Sequence, residues 1–212
     1  MSYSISIYNT AGQVVDTVQL DATIFADEHI NNSLIHEFIL LQQANARMGN
    51  AHTKTRAEVS YSGRKLARQK WWGRGRVGDA GTPLRKHGGV SFGPRNTVNW
   101  TKNMNKKQKK LALLGCLIRR LQKNDIIWLQ CDYTAIQTQQ ASKTLKDIGI
   151  LNQKNLVVMD SKNEIISKSF RNISGVKHLL VGYLNPYDIL NNKKIIFNGE
   201  SLQSMITLFQ NS

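Results

Sequence analysis

Hydrophobic and polar positions alternate with two different periods along the chain, and the change of period separates predicted strands from predicted helices. Residues 3–20 alternate polar and apolar side chains on either side of the turn sequence Asn9–Gly12, which predicts a β-hairpin. From Ser33 the apolar positions take a helical spacing that fades near Ala46, and Asn32 or Ser33 is suited to cap the helix. The start of the chain therefore predicts a hairpin followed by one helix.

The second half of the chain alternates short apolar runs with helical stripes. A helix is predicted from about Asn105, with a stripe formed by Leu111, Leu114, Leu117, Ile118 and Leu121. After it the predicted strands are 126–130, 156–159, 179–181 and 195–197, and the predicted helices are 138–148, 163–170, 186–190 and 201–209. This alternation is typical of βαβ units with helices on both faces of a parallel sheet. We predict a single three-layer α/β domain with a mainly parallel sheet.

Between these two parts the apolar residues show no regular period. Nine of the fifteen glycines fall between Gly49 and Gly93. Such a segment cannot bury enough apolar surface to offset its ordering entropy and its self-repulsion. We predict that residues 47–97 form an extended basic loop, called the arm below. It interrupts a globular domain made of residues 1–46 and 98–212.

The basic charge is concentrated in and just after the arm. Seventeen of the 29 Lys and Arg residues lie between Arg47 and Lys110, against the two acids Glu58 and Asp79. The rest of the chain holds equal numbers of basic and acidic residues, so this stretch carries the entire net charge of +15. It needs an external polyanion to fold against. Nucleic acid fits, because neutralising phosphates releases condensed counterions.

A membrane partner fits the sequence less well. The longest apolar run, Leu111–Ile118, is far shorter than the ~18 residues that a membrane span needs. Binding to an anionic membrane surface would call for an amphipathic basic helix with apolar anchors. The N-terminus shows no signal-peptide or transit-peptide pattern, and Cys116 and Cys131 show no CxxC spacing. We expect reduced thiols in a cytosolic-type compartment and no membrane partner.

Three groups of residues are candidates for contact with RNA: the basic side chains of the arm, its two adjacent tryptophans, and the lysines that follow Asn105. Lys, Arg and His of the arm can bind phosphates, and the indoles of Trp71 and Trp72 can stack on bases. Four lysines after Asn105 are unfavourable beside a positive helix dipole, which indicates a phosphate site. The predicted RNA-binding residues are Arg47, His52, Lys54, Arg56, Arg64, Lys65, Arg68, Lys70, Trp71, Trp72, Arg74, Arg76, Arg85, Lys86, His87, Arg95, Lys106, Lys107, Lys109 and Lys110. Two alternatives stay open: a Trp–Arg cluster that only stiffens the arm, and a solvated basic helix face.

Enzyme chemistry finds little support in the sequence. Gly73–Gly78 matches GxGxxG, but a dinucleotide site requires a strand before it and a helix after it, and the flanking residues predict neither. The histidines show no metal-ligand spacing, and no catalytic triad or carboxylate pair can be argued. We predict no catalytic residue, no metal site and no cofactor. An RNA-modifying enzyme with a Rossmann-like domain and a basic substrate-binding arm is the alternative, and a free-standing RNA chaperone or regulator is a third interpretation.

Read in full, the basic stretch resembles the bacterial type of large-subunit ribosomal protein L-four. The resemblance rests on Ala46–Val59, Gly63–Lys65, Arg68–Lys70, Gly73–Arg76 and Gly88–Arg95, and continues at Asn105–Lys107, Arg171–Asn172 and Asn185–Leu190. It covers most of the chain and is most specific at Lys54-Thr-Arg-Ala-Glu-Val59. This chain departs from the family at Lys70-Trp-Trp-Gly-Arg74, where the family usually has Lys-Gly-Thr-Gly-Arg. It also departs at Leu84-Arg-Lys-His-Gly88, where Trp-Arg-Gly-Gly-Gly is usual.

The resemblance implies a structural constituent of the large ribosomal subunit that binds ribosomal RNA and is not an enzyme. Its globular domain would lie on the solvent side, and its arm would thread into the large-subunit RNA. The tip, Lys70–Arg76 by motif match, would reach the nascent-peptide exit tunnel near ribosomal protein L-twenty-two. No homo-oligomer is implied. The implied location is the ribosome of the bacterial cytoplasm, with an organelle-encoded copy left open.

Overall fold

The predicted hairpin and the predicted βαβ units share one six-stranded sheet. The computed structural model describes residues 3–131 and 133–210. Residues 1, 2, 132, 211 and 212 of the predicted domain lie outside the described chain. The elements are β1 (Ser4–Tyr8), β2 (Val14–Gln19), α1 (Asn32–Ala46), α2 (Lys106–Gln122), β3 (Ile126–Leu129), α3 (Thr138–Asp147), β4 (Asn155–Met159), α4 (Glu164–Arg171), β5 (Val176–Leu180), α5 (Pro186–Asn191), β6 (Lys194–Asn198) and α6 (Ser201–Gln210).

The strand order explains how the two halves of the chain are joined. The order is β2-β1-β3-β6-β4-β5, with β1 and β2 antiparallel and every other neighbouring pair parallel. The hairpin joins the parallel part through Ile7, which lies opposite Trp128 of β3. The last strand in sequence, β6, fills the centre of the sheet. The prediction of a mainly parallel α/β sheet is confirmed.

Alternate residues of the central strands enter two separate apolar clusters, one on each face of the sheet. Leu156 and Val158 of β4 pack in a cluster with α2, α5 and α6. Val157 and Met159 of the same strand pack in the other cluster, with α3 and α4. Because both faces are covered by helices, β4 is buried along its whole length, as the continuous apolar run in the sequence predicts.

Three details differ from the sequence predictions. The cap of α1 is Asn31, whose Oδ1 accepts a hydrogen bond from the Leu34 N–H at 3.1 Å, instead of Asn32 or Ser33. The fifth strand begins at Val176 and ends at Leu180, so Val181 belongs to a following 3-10 turn. Leu111, predicted in the apolar stripe of α2, is exposed because it lies in the first turns of the helix, near its solvent-facing start.

Arg120 ties the end of α2 to the end of α5. Its guanidinium donates to the carbonyl oxygens of Ile189, Leu190 and Asn192 at 3.0, 2.9 and 2.6 Å. Its Nη1 lies 3.1 Å from Asp125 Oδ2. The last carbonyls of a helix have no partner within it, and Arg120 supplies one. A basic side chain therefore has a structural use in the globular domain.

Candidate nucleic-acid interface

The chain divides into two compact units, of which one is Ala44–Lys102 and the other is the rest of the described chain. The arm lies within the first unit. Residues 47–105 contain no helix or strand and consist of turns, bends and irregular backbone. The glycine content and the absence of an apolar period account for this, because neither favours a regular element.

Backbone hydrogen bonds cross between the outgoing and the returning limb of the arm. The Thr53 N–H donates to the Pro94 carbonyl at 3.0 Å, and the Val90 N–H donates to the Lys54 carbonyl at 2.9 Å. Farther out, the Leu66 N–H donates to the Gly78 carbonyl at 3.1 Å. The two limbs therefore run side by side, and the arm is a folded-back loop.

Gly89 shows how closely the limbs approach each other. A Cβ atom at this position would lie 2.1 Å from the backbone nitrogen of Arg56, so only glycine fits. Gly89 is buried although most of the arm is exposed. The glycine-rich composition of the arm is therefore partly a requirement of its own packing.

The two acids of the arm are both engaged by arginines of the arm. Arg95 binds Glu58 with two hydrogen bonds, Nη1 to Oε2 at 2.7 Å and Nη2 to Oε1 at 2.8 Å. Glu58 Oε2 also accepts from the Thr55 N–H at 2.9 Å. The Arg95 guanidinium and this N–H hold the pKa of Glu58 at about 2, below its ordinary 4.5. Asp79 Oδ2 accepts from Arg56 at 3.2 Å and from the Tyr61 hydroxyl at 3.4 Å.

A second set of contacts closes the base of the arm. The Lys102 N–H donates to Asn45 Oδ1 at 2.8 Å, and Asn45 Nδ2 donates back to the Lys102 carbonyl at 3.1 Å. The Arg47 guanidinium lies over the Trp100 ring, 3.6 Å from its centroid, which is cation–π geometry. The arm therefore begins and ends at one place.

Most of the predicted RNA-binding residues are available to a partner. Eighteen of the twenty are exposed, and Arg95 and Lys109 are half-buried. Arg95, Arg56 and Arg47 are engaged inside the unit as described, and His52 Nε2 lies 3.7 Å from Glu58 Oε2. The basic side chains from Arg64 to Arg76 form no ion pair with an acid among the described residues; Lys65 contacts Gln69.

The tip of the arm presents the two adjacent indoles differently. Trp71 is 98% exposed and has a φ of 73°, a conformation that favours glycine. Trp72 is 38% exposed, with the Arg74 guanidinium 5.7 Å from its ring centroid. The Trp–Arg cluster proposed as an alternative is therefore present at Trp72, whereas Trp71 has its ring in solvent.

Sequence reasoning missed several exposed apolar side chains of the arm. Phe92 is fully exposed with a φ of 55°, Leu84 is 97% exposed and Met48 is 87% exposed. Each stands beside glycine, proline or basic residues, in a segment without periodicity. That setting was the signal that could have found them, because a large apolar residue in a glycine-rich basic segment has no periodic apolar neighbours with which to form a core.

A second basic patch lies on the globular unit at the start of α2. Asn105 is the N-cap but its side chain makes no capping hydrogen bond, and the first turn contains no acid. Lys106, Lys107 and Lys110 are exposed there, and Lys109 is half-buried. Free N–H groups and lysines at one helix end are suited to bind a phosphate.

Three features of the described residues concern the nucleotide-binding site that the enzyme alternative requires. Gly73–Gly78 lies in irregular backbone, with neither a strand before it nor a helix after it. Asp160 and Glu200 line the carboxyl ends of the central parallel strands, where they would repel the phosphates of a nucleotide. Burial raises the pKa of the Cys116 thiol to about 12, which favours the less reactive protonated thiol at neutral pH.

Within 3–131 and 133–210, no three His, Cys, Asp or Glu side chains are grouped so that they could hold a metal ion. No helix in these ranges is long and apolar enough to span a bilayer.

A covered α/β sheet with a long basic arm and no nucleotide-binding turn among the described residues defines the class of this chain, a basic α/β protein suited to bind a polyanion. Comparison with known families then identifies it: the chain belongs to the ribosomal protein L4/L1 family, whose family model matches residues 18–207. The resemblance seen in the arm is thereby confirmed and extends over most of the chain.

Curated relatives agree with this assignment. The chain is 36% identical to the large ribosomal subunit protein uL4 of Caldicellulosiruptor bescii over 202 residues, covering 95% of this chain and 96% of the relative. It is 38% identical to the uL4 of Halothermothrix orenii, with 92% and 93% covered, and 37% identical to that of Thermosipho melanesiensis, with 95% and 96% covered.

Proposed function

We propose that this protein is a structural constituent of the large ribosomal subunit, located in the cytoplasm with the ribosome, and that it binds the ribosomal RNA through its arm. It acts by binding and has no catalytic role. Ribosomal proteins of the large subunit are its neighbours. Family membership and the near-complete coverage of the uL4 relatives support this function.

One observation supports the RNA contact most directly. Within the unit Ala44–Lys102, backbone hydrogen bonds join the two limbs and arginines bind both acids. The basic side chains from Arg64 to Arg76 are exposed and form no ion pair with an acid among the described residues. Each exposed Lys or Arg can neutralise a phosphate, and the planar guanidinium of Arg can bind two phosphate oxygens. The lysines at the start of α2 form a second phosphate contact.

The proposal also assigns a position to the tip of the arm, Lys70–Arg76. We place it at the wall of the nascent-peptide exit tunnel, near ribosomal protein L-twenty-two, with the exposed Trp71 ring stacked on an RNA base. Removing an indole of this exposure from water is favourable, and stacking contributes about 1–3 kcal/mol per base. A ring that faces the lumen would narrow the tunnel relative to relatives with glycine and threonine here.

Co-sedimentation tests the ribosomal assignment. Tagged protein produced in a bacterium should travel with large subunits through a sucrose gradient at high salt, because surface charge alone is screened there. Tagged protein that stays at the top of the gradient contradicts the proposal and favours a free-standing RNA chaperone or regulator. Stoichiometric binding of S-adenosylmethionine in calorimetry would instead favour the RNA-modifying enzyme.

The structure of the assembled large subunit tests the position of the tip. We expect at least one of the two indoles within about 5 Å of an RNA base, in stacking geometry. If both rings lie farther than that from every base and the tunnel is not narrowed, the proposal for the tip is contradicted. The two tryptophans would then only stiffen the arm.

A further inference from the structure

We propose that Glu58 and Asp79 are positioning residues that hold the two limbs of the arm in the shape that binds RNA. The proposal rests on the proposed function. Both acids stand in a segment whose partner is a polyanion, where a carboxylate by itself repels the phosphates. Both are nevertheless bound by arginines of the arm itself. Each carboxylate binds an arginine that could otherwise bind an RNA phosphate.

Glu58 links the limbs near the base of the arm. It lies on the outgoing limb, and Arg95, which binds it through two hydrogen bonds, lies on the returning limb. Arg95 Nη1 also donates to the Thr53 carbonyl at 3.1 Å, so one guanidinium binds a side chain and a backbone group of the opposite limb. The Thr53–Pro94 backbone hydrogen bond lies directly beside this pair.

Asp79 links the limbs a second time, with the acid and the arginine on exchanged limbs. Here the acid is on the returning limb, and its partners Arg56 and Tyr61 are on the outgoing limb. Its side chain is 19% exposed, against 60% for Arg56, so the carboxylate faces the inside of the arm. Two pairs of opposite polarity therefore tie residues 56–58 of the outgoing limb to two separate places on the returning limb, Asp79 and Arg95.

Neutralising these acids should weaken RNA binding, although a gain of positive charge by itself strengthens it. Glu58→Gln and Asp79→Asn each raise the net charge by one, which alone should tighten binding and steepen its salt dependence. If the acids shape the arm, each substitution should instead weaken binding. The loss should be about 3-fold to 10-fold for Glu58→Gln, which disrupts a bidentate, partly exposed ion pair, and smaller for Asp79→Asn, whose contact with Arg56 is single. Glu164→Gln is the matched control. It breaks a carboxylate–lysine pair of 2.7 Å in the globular unit with the same change of charge.

The partner arginine separates shape from direct binding of phosphate. Arg95→Gln should weaken RNA binding without lowering the slope of log affinity against log salt, because its guanidinium binds Glu58 instead of a phosphate. Removal of a side chain that neutralises one phosphate would lower that slope by about 0.7–0.9. The double variant Glu58→Gln/Arg95→Gln should bind no more weakly than the weaker-binding single variant, since both residues act through one pair.

The experiment measures the affinity of the full chain for protein-free bacterial large-subunit ribosomal RNA by filter binding, at four salt concentrations. The inference is overturned if Glu58→Gln and Asp79→Asn bind as tightly as the unaltered protein or more tightly. Failure of the unaltered protein to bind this RNA contradicts the proposed function instead.

A measurement without RNA tests the same inference on its own. Lys54→Cys/Val90→Cys places two thiols on neighbouring limbs where the backbone hydrogen bond is 2.9 Å long. Mild oxidation should form the cross-link several-fold less efficiently when Glu58→Gln is added, and as efficiently when Glu164→Gln is added. Equal yields in all three proteins would show that Glu58 does not hold the limbs together.

Discussion

Arg120 illustrates at the scale of one residue how a basic side chain of this protein can serve the fold. It is 12% exposed and binds three carbonyl oxygens and Asp125. Arg120→Met should lower the free energy of unfolding by about 3 kcal/mol, because it leaves buried acceptors without donors. Urea denaturation followed by circular dichroism measures this. Arg119→Met, the same change at an exposed neighbouring position, should have little effect; equal effects would mean that the carbonyl contacts contribute nothing.

Glu58 makes a prediction about pH. Since its pKa is lowered to about 2 by Arg95 and the Thr55 N–H, its contribution to the folded arm is fully present above about pH 4.5. That contribution is lost as the pH falls from there towards 2. The carboxyl carbon chemical shift of Glu58, assigned with the help of Glu58→Gln, should report a midpoint near the lower value. A midpoint near 4.5 would mean that the pair with Arg95 is not formed in the free protein.

Single residues also mark where the sequence could not predict the structure. Asn31, Asn32 and Ser33 are all good N-caps, so only the observed bond to Leu34 selects Asn31. The stacking of Arg47 on Trp100 joins residues about fifty positions apart and has no local signal. Gly89 approaches the backbone of Arg56, a close contact across the limbs that the glycine content alone does not specify.

Helix α2 carries basic side chains at both ends, where the helix dipole affects them in opposite ways. Its first turns carry lysines and its last turn carries Arg119 and Arg120. Replacing Lys106, Lys107 and Lys109 by Gln should leave the free energy of unfolding unchanged or slightly raised, because cations oppose the dipole at that end. Affinity for large-subunit ribosomal RNA and its salt slope should both fall.

Arg119→Gln/Lys123→Gln is the control at the opposite end of the same helix. Cations there favour the dipole, so this pair of changes should slightly lower the free energy of unfolding. RNA affinity should fall less than for the lysine variant. Lower stability of the lysine variant with unchanged RNA binding would make those lysines ordinary surface charges.

Elements buried on both faces were the easiest to predict. The strand β4 is a continuous apolar run, and its predicted ends are within one residue of the observed ones. The strand β5 was predicted too late in the sequence, because it lies at the sheet edge, where Lys177 and His178 are tolerated and break the apolar pattern. Strand order has no signature in a hydrophobic pattern, so the central position of β6 could not be predicted.

At the scale of the whole molecule, the segregation of charge predicts two separable behaviours. Replacement of residues 47–97 by a short Gly/Ser linker should leave the globular unit folded, because the arm adds no residue to its apolar clusters and its ends meet at Asn45 and Lys102. This variant should bind large-subunit ribosomal RNA much more weakly and with a flatter salt dependence.

Circular dichroism and filter binding check the two halves of this prediction. An unfolded armless variant would mean that the boundary between the arm and the globular domain is misplaced. Unchanged RNA affinity would mean that the main RNA-binding surface lies on the globular unit, where the lysines at the start of α2 are the first candidates.

The central position of β6 sets the order in which the protein can become complete during its own synthesis. The strands β3 and β4 each pair with β6, which lies between them, so the six-stranded sheet is incomplete until residue 198 has been made. The arm is finished about 100 residues earlier, which at roughly 5–20 residues per second is an interval of roughly 5–20 seconds. During that interval each new chain carries a finished basic arm while the sheet of its globular domain is still incomplete, and a chain that ends before β6 never completes that sheet.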